Sequence, residues 1–199
     1  MAGSLWVLAT LVAAAAQTAR NVTQQGLTRQ IGTLGATQVR FVFGLPFAIL
    51  FLGLMVWATG EAIPTLTRAS LAYATLGAVA QIAATALMLI TMKSRSFAVT
   101  TAWIKTEPVM VALIAAVTIG DALTVPKFVA IVVATTGVVI LSTKPDTTRV
   151  MVRDLGPAAT GLLAGLLFGL AAIGFRGGIL NLSEGGFLIR ASTILVVSL

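Results

Sequence analysis

Blocks of uncharged hydrophobic residues follow one another along this chain, parted by short polar breaks. A helix rises about 1.5 Å per residue, so about 20 apolar residues are needed to cover a hydrocarbon core about 30 Å thick. Against that length the pattern predicts membrane-spanning helices at Leu5–Gln24, Ala36–Thr59, Ala69–Met92, Phe97–Gly120, Leu123–Thr143 and Leu155–Arg176, with a further span beginning over Gly185–Leu199. The third carries no charge, whereas Lys105 and Glu107 interrupt the fourth. Gly32 and Gly35, Gly60 and Pro64, Gly120 and Asp121, and Pro145 and Pro157 punctuate the breaks with turn-forming residues. The longest polar link is Lys144–Asp154, and no Gly/Ser tether or low-complexity run sets off a soluble domain. The expected fold is all-α, a polytopic transmembrane helix bundle.

Composition sharpens this picture. Hydrophobic residues make up 58% of the 199 and charged residues 10%, with a mean hydropathy of +1.03. A soluble domain carries about 25% charged residues, so a water-facing surface cannot be built from this chain. With no Cys and no His, disulfides, thiolate nucleophiles, imidazole bases and His or Cys metal sites are excluded, and neither metal nor cofactor is expected. The net charge of +7 comes from basic residues scattered among the hydrophobic blocks. Nucleic acid is therefore not an expected partner. Met1 to Ala16 has no Lys or Arg before its apolar stretch and reads as a retained first helix rather than a secretory signal.

An internal repeat is also expected. Arg20 and Arg40 in the first two spans have counterparts at near-equal offsets, Arg176 in the sixth and Arg190 in the seventh. Five spans would make one repeat, and an odd number of crossings inverts the second copy in the membrane. The chain ends at Leu199 on an apolar run, which leads to the expectation of a truncated bundle: a first five-helix repeat over 1–143, a polar link over 144–156, and the first two helices of a second, inverted repeat over 157–199.

Three stretches carry a family resemblance: Gln17-Thr18-Ala19-Arg20-Asn21, then Leu34-Gly35-Ala36-Thr37-Gln38-Val39-Arg40-Phe41, and Ser96-Phe97-Ala98-Val99-Thr100-Thr101-Ala102-Trp103 running into Lys105-Thr106-Glu107-Pro108. Together with Gly120-Asp121-Ala122-Leu123-Thr124 before the fifth span, their order and spacing resemble the EamA-type members of the drug/metabolite transporter superfamily. That resemblance implies ten helices in two inverted repeats, with helices one to four and six to nine around a central cavity and helices five and ten outside it.

Intramembrane charge points to candidate chemistry, because an ionisable group in the bilayer interior costs a few kcal/mol and is kept for a reason. Glu107 and Lys105 are the deepest. Two residues apart on a helix, they point to nearly opposite sides, so each needs a partner elsewhere. Glu107 reads either as a carboxylate that exchanges protons during transport or as a fixed partner of Arg20, Arg40 or Arg176. Lys105 reads either as a counter-charge for an anionic group or as a side chain snorkelling to an interface. Gln17, Arg20 or Asn21, and Gln24 fall on one face of the first span, which must look into protein or a water-filled cavity. Tyr73, Gly77, Gln81 and Thr85 make a second stripe, of which Gln81 is the residue to test first; the alternative is interhelical glue. Gly161, Gly165 and Gly169, and likewise Ala130, Ala134 and Gly137, read as packing seams. Trp6, Trp57 and Trp103 stand either as interface anchors or as cavity walls.

The candidate substrate- or ion-binding set is thus Gln17, Arg20, Asn21, Arg40, Gln81, Lys105, Glu107 and Arg176. Secondary transport of a small organic metabolite or drug-like solute by alternating access leads, with protons as a candidate coupling ion and a cell (inner) membrane as the expected location. No GxxxxGK[ST] is present to bind ATP, and no HExxH, membrane aspartate pair or Ser/His arrangement supports an intramembrane enzyme. The remaining alternative is an interaction protein whose bundle is completed by a second copy or another polypeptide. Loop charge puts Arg29, Lys93, Arg95, Lys144, Arg149 and Arg153 in the cytoplasm with the amino terminus outside. The family resemblance implies the reverse, and a cysteine at Ser4 probed with an impermeant thiol reagent decides between them.

Overall fold

The computed structural model describes residues 2–94, 97–104, 107–118, 124–142 and 155–199, and the regular structure among them is entirely helical. Helix α1 covers Ala2–Thr59, α2 Arg68–Ser94, α3 Phe97–Ile104, α4 Glu107–Thr118, α5 Val125–Ser142, α6 Leu155–Leu180 and α7 Phe187–Val197. Helices are what a hydrocarbon solvent demands, because each backbone N–H and C=O finds its partner inside the segment. Three of them, α1, α2 and α6, are long and apolar enough to cross a membrane. The fourth expected span is helical on both sides of residues 105–106, and Lys105 and the link 144–154 lie outside the described residues.

The first two expected spans meet at one residue. Gly32, with φ 77° and ψ 175°, is the single non-helical position within α1, in a backbone region open essentially to glycine alone. Gln24 Nε2 donates to the Ala36 carbonyl at 3.2 Å; in an unbroken helix those residues would stand about 18 Å apart. The chain therefore folds back at Gly32 into two antiparallel limbs, 2–31 and 33–59, where the sequence suggested a longer polar link. Gln24 and Thr28 are both buried in the hairpin; Gln24 Nε2 is paired by the Ala36 carbonyl while its Oε1 has no partner among the described residues, and Thr28 donates to the Gln24 carbonyl at 2.8 Å.

The most extensive interhelical contact is between α2 and α6, and small residues make it possible. A Cβ on Gly174 would lie 2.7 Å from the Gly77 Cα, and one on Gly177 would lie 2.6 Å from the Tyr73 ring. The backbones thus meet at a separation that any side chain would prevent. Helix α6 also continues past Arg176, where the sequence ended it, because Gly177 and Gly178 are held against α2 and α7. Farther along α6, Gly161 lies under Trp103 of α3 and Gly169 against Val111 of α4, so those two glycines serve the packing seam expected of them. The run on α5 does not close likewise at Gly137, which has nothing within 4 Å of a Cβ. One apolar cluster joins Ala36, Met88, Leu89, Met92, Ile104 and Ala164; a second joins Ala74, Leu182 and Ile194. Large apolar side chains such as Leu34, Phe43, Leu50 and Val79 point outward, as lipid-facing positions should. Trp57, 83% exposed near the end of the second limb, fits an interface anchor.

At one end of the bundle the loop 60–67 is tied to the loop 181–186. Thr67 Oγ1 donates to the Asn181 carbonyl at 2.9 Å, Thr65 Oγ1 and Ser183 Oγ share a hydrogen bond at 3.2 Å, and the Gly186 N–H donates to Glu61 Oε2 at 2.5 Å. Gly186 is the N-cap residue of α7, where a carboxylate is favoured by the unpaired N–H groups and the helix dipole.

Candidate functional site

Polar side chains from separate helices converge on one cavity of about 320 Å³. The first limb of α1 supplies Gln17, Arg20 and Asn21, the second limb Arg40, α2 Gln81, and α4 Glu107. Arg20 and Arg40 lie roughly 18 and 12 Å along their limbs from the Gly32 turn, distances close to half the thickness of a hydrocarbon layer of about 30 Å. The rest of the wall is Met88 and Met92 of α2, Thr101 and Ile104 of α3, and Phe168, Ala172 and Phe175 of α6. Among the described residues no α5 side chain lines it.

The arginines are held by neutral partners. Arg40 Nη1 donates to Thr85 Oγ1 at 2.7 Å, and Thr85 Oγ1 donates in turn to the Gln81 carbonyl at 2.8 Å. The Arg40 guanidinium also stands 5.3 Å from the centroid of the Phe41 ring, within cation–π range. Arg20 Nη2 donates to Asn21 Oδ1 at 3.4 Å, a long bond between neighbours that leaves most of the guanidinium turned to the cavity. Gln17 and Arg20 are exposed, while Asn21, Arg40, Gln81 and Glu107 are half-buried. The stripe of Tyr73, Gly77, Gln81 and Thr85 thus divides its work: Tyr73 and Gly77 pack on α6, Gln81 lines the cavity, and Thr85 anchors Arg40.

Six residues of the candidate set share this cavity, namely Gln17, Arg20, Asn21, Arg40, Gln81 and Glu107. Lys105 lies outside the described residues, and Arg176 does not line the cavity; its side chain is exposed. Arg190, its companion in the proposed repeat, is half-buried on α7 with Nε buried and without a hydrogen-bond partner. Sequence reasoning passed over the α6 wall. Phe168, Ala172 and Phe175 stand at helical spacing beside a run of glycines, a stripe that reads equally well as core.

Two further cavities adjoin. An apolar lobe of about 490 Å³ shares Arg20, Arg40, Gln81 and Phe175 with the polar cavity and extends between Phe41, Phe47 and Phe51 of the second limb and Leu195 of α7. A recess of about 120 Å³ toward the Gly32 end shares Met92 and is lined by Gln25, Thr28, Arg29 and Lys93. Among the described residues no group of His, Cys, Asp and Glu side chains is placed to hold a metal ion.

A bundle of helices apolar enough to cross a membrane, with polar side chains meeting in a cavity between them, fits the class of membrane transport proteins. The match to known families gives that class its name: residues 3–143 match the EamA-like transporter family, and the chain belongs to it. This is a family of membrane transporters rather than enzymes, within the drug/metabolite transporter superfamily. No curated protein and no solved structure matches the chain.

Proposed function

We propose that the chain carries a small organic solute across the membrane by alternating access, with the cavity of Gln17, Arg20, Asn21, Arg40, Gln81 and Glu107 as its binding site. The observation that carries this reading is the convergence of these side chains, from helices dominated by lipid-compatible residues, on one cavity. Intramembrane polar groups are costly, and several meeting at one place mark a solute or ion pathway. The tie between loops 60–67 and 181–186 supports a barrier at one face. The recess beside Arg29 and Lys93 supports an approach from the other. Residues 1–143 form the first five-helix unit in this reading, in keeping with the family match over 3–143, and 157–199 begin a second, inverted one. The membrane is a cell (inner) membrane.

Glu107 is the residue we assign to proton coupling, because it is the one carboxylate lining the cavity among the described residues. Its protonation on one side of the cycle and release on the other would tie proton flow to solute movement. The test is solute flux by the purified chain in liposomes, with and without an imposed proton gradient. Gradient-stimulated flux that Glu107→Gln abolishes, with the fold intact by circular dichroism, is the expected result. Flux that the substitution leaves unchanged removes Glu107 from the mechanism, and absence of flux for any solute removes the transport reading for this chain.

A further inference from the structure

The polar cavity is richer in positive than in negative charge. Among its described lining residues are two guanidiniums, Arg20 and Arg40, and one carboxylate, Glu107. Among the described residues both arginines bond to uncharged groups, Asn21 and Thr85. Two like charges facing one cavity at low dielectric repel. An oxyanion between them would remove that repulsion and accept the remaining N–H donors in short, charge-assisted bonds. The surroundings agree. The recess at the Gly32 end is rimmed by Arg29 and Lys93 and joins the cavity wall at Met92, so positive potential extends outward from the site.

The second half of the ligand is indicated by the apolar lobe. It shares Arg20 and Arg40 with the polar cavity and is walled by phenylalanines. A molecule with its charge at the arginines has polar groups to one side, at Gln17, Asn21 and Gln81, and a hydrocarbon wall to the other. We propose that this site takes an amphipathic organic anion, its oxyanion held between Arg20 and Arg40 and its aryl or alkyl end lying among Phe41, Phe47 and Phe51. The proposal rests on the transport reading only for the statement that such an anion is carried; binding stands apart from it.

The test is equilibrium binding of 3-phenylpropionate to the full chain in phosphatidylcholine nanodiscs, without any gradient, against 3-phenylpropylamine and 3-phenylpropanamide as matched cationic and neutral probes. The expected result is binding of the carboxylate, at least about tenfold weaker for the amine and the amide. Arg20→Gln, which disturbs only a long bond to its neighbour, should weaken carboxylate binding about tenfold, and Arg40→Lys, which keeps the charge, should weaken it less than Arg40→Gln. Phe47→Ala, at an exposed position, should weaken 3-phenylpropionate severalfold and leave acetate competition unchanged. Repeating the measurement with phosphatidylglycerol in the nanodisc identifies the source: competitive loss of 3-phenylpropionate binding means that the same anion site is filled from the bilayer, and unchanged binding means that it is filled from water. Equal binding of amine and carboxylate, no carboxylate binding in either lipid, or indifference to both arginine substitutions would overturn the proposal. Anion binding without flux sinks the transport reading alone, and flux of some solute without anion binding sinks this inference alone.

Discussion

Arg40 and Thr85, separated by 45 positions in the chain, meet in a 2.7 Å hydrogen bond between the second limb of α1 and α2. Thr85 is fully buried, and its hydroxyl in turn donates a hydrogen bond to the Gln81 carbonyl. One threonine therefore holds a cavity arginine at a fixed height while satisfying its own donor and acceptor.

Replacing that hydroxyl should loosen the arginine. Thr85→Val keeps the shape and deletes the acceptor, so a loss of about 0.6 kcal/mol, and at most about 1.7, is expected, as is typical of interhelical hydrogen bonds in membranes. Thr85→Ser should retain most of it. Equilibrium unfolding in mixed micelles checks the series, and equal stability of the wild type and both variants would mean that Arg40 draws no support from this bond.

The α2–α6 crossing makes a steeper prediction. Gly174→Ala would drive a methyl to 2.7 Å from the Gly77 backbone, which has no side chain to swing aside. The helices must part, and a destabilisation of about 1–3 kcal/mol or more is expected. Gly53→Ala is the control. Gly53 has nothing within 4 Å of a Cβ, and the helical gain of alanine over glycine should leave the protein equally or more stable. Melting temperatures in detergent compare the two, and an equal effect of both substitutions would argue against the close crossing.

The loop tie offers a direct test of movement at one face. Thr65 and Ser183 are exposed, with their hydroxyl oxygens 3.2 Å apart, and the chain has no cysteine of its own. A Thr65→Cys/Ser183→Cys pair should form a disulfide on oxidation. If the two loops separate during each cycle, the cross-linked protein loses flux and regains it in reductant, whereas neither single variant responds. Complete cross-linking with full flux would show that this face stays closed throughout.

Much of the architecture was legible before any coordinates, because a bilayer imposes its thickness on the sequence. The expected third span, Ala69–Met92, differs from α2 by one residue at its start and two at its end, and the fifth from α5 by similar margins. The hairpin was less legible. Residues 25–35 look like a polar linker, yet they are helical apart from Gly32, since Gln24 and Thr28 find partners within the folded hairpin. The glycines of α6 show a related limit. Small residues at helical spacing announce a seam, but which of them meets Trp103, Val111 or Tyr73 depends on where three neighbouring helices lie.

The sequence by itself determined the all-helical, membrane-compatible character of this protein, the approximate bounds of elements such as α2 and α5, and which residues are too polar to face lipid. Those follow from transfer energies that each residue carries wherever it sits. Only the tertiary structure decided that Gln17, Arg20, Asn21, Arg40, Gln81 and Glu107 open onto the same cavity, that Arg40 rests on Thr85, and that Arg176 stands apart. Company of that kind is set by the rotation of each helix about its axis and by its crossing partners, which the packing of distant side chains fixes and local periodicity does not.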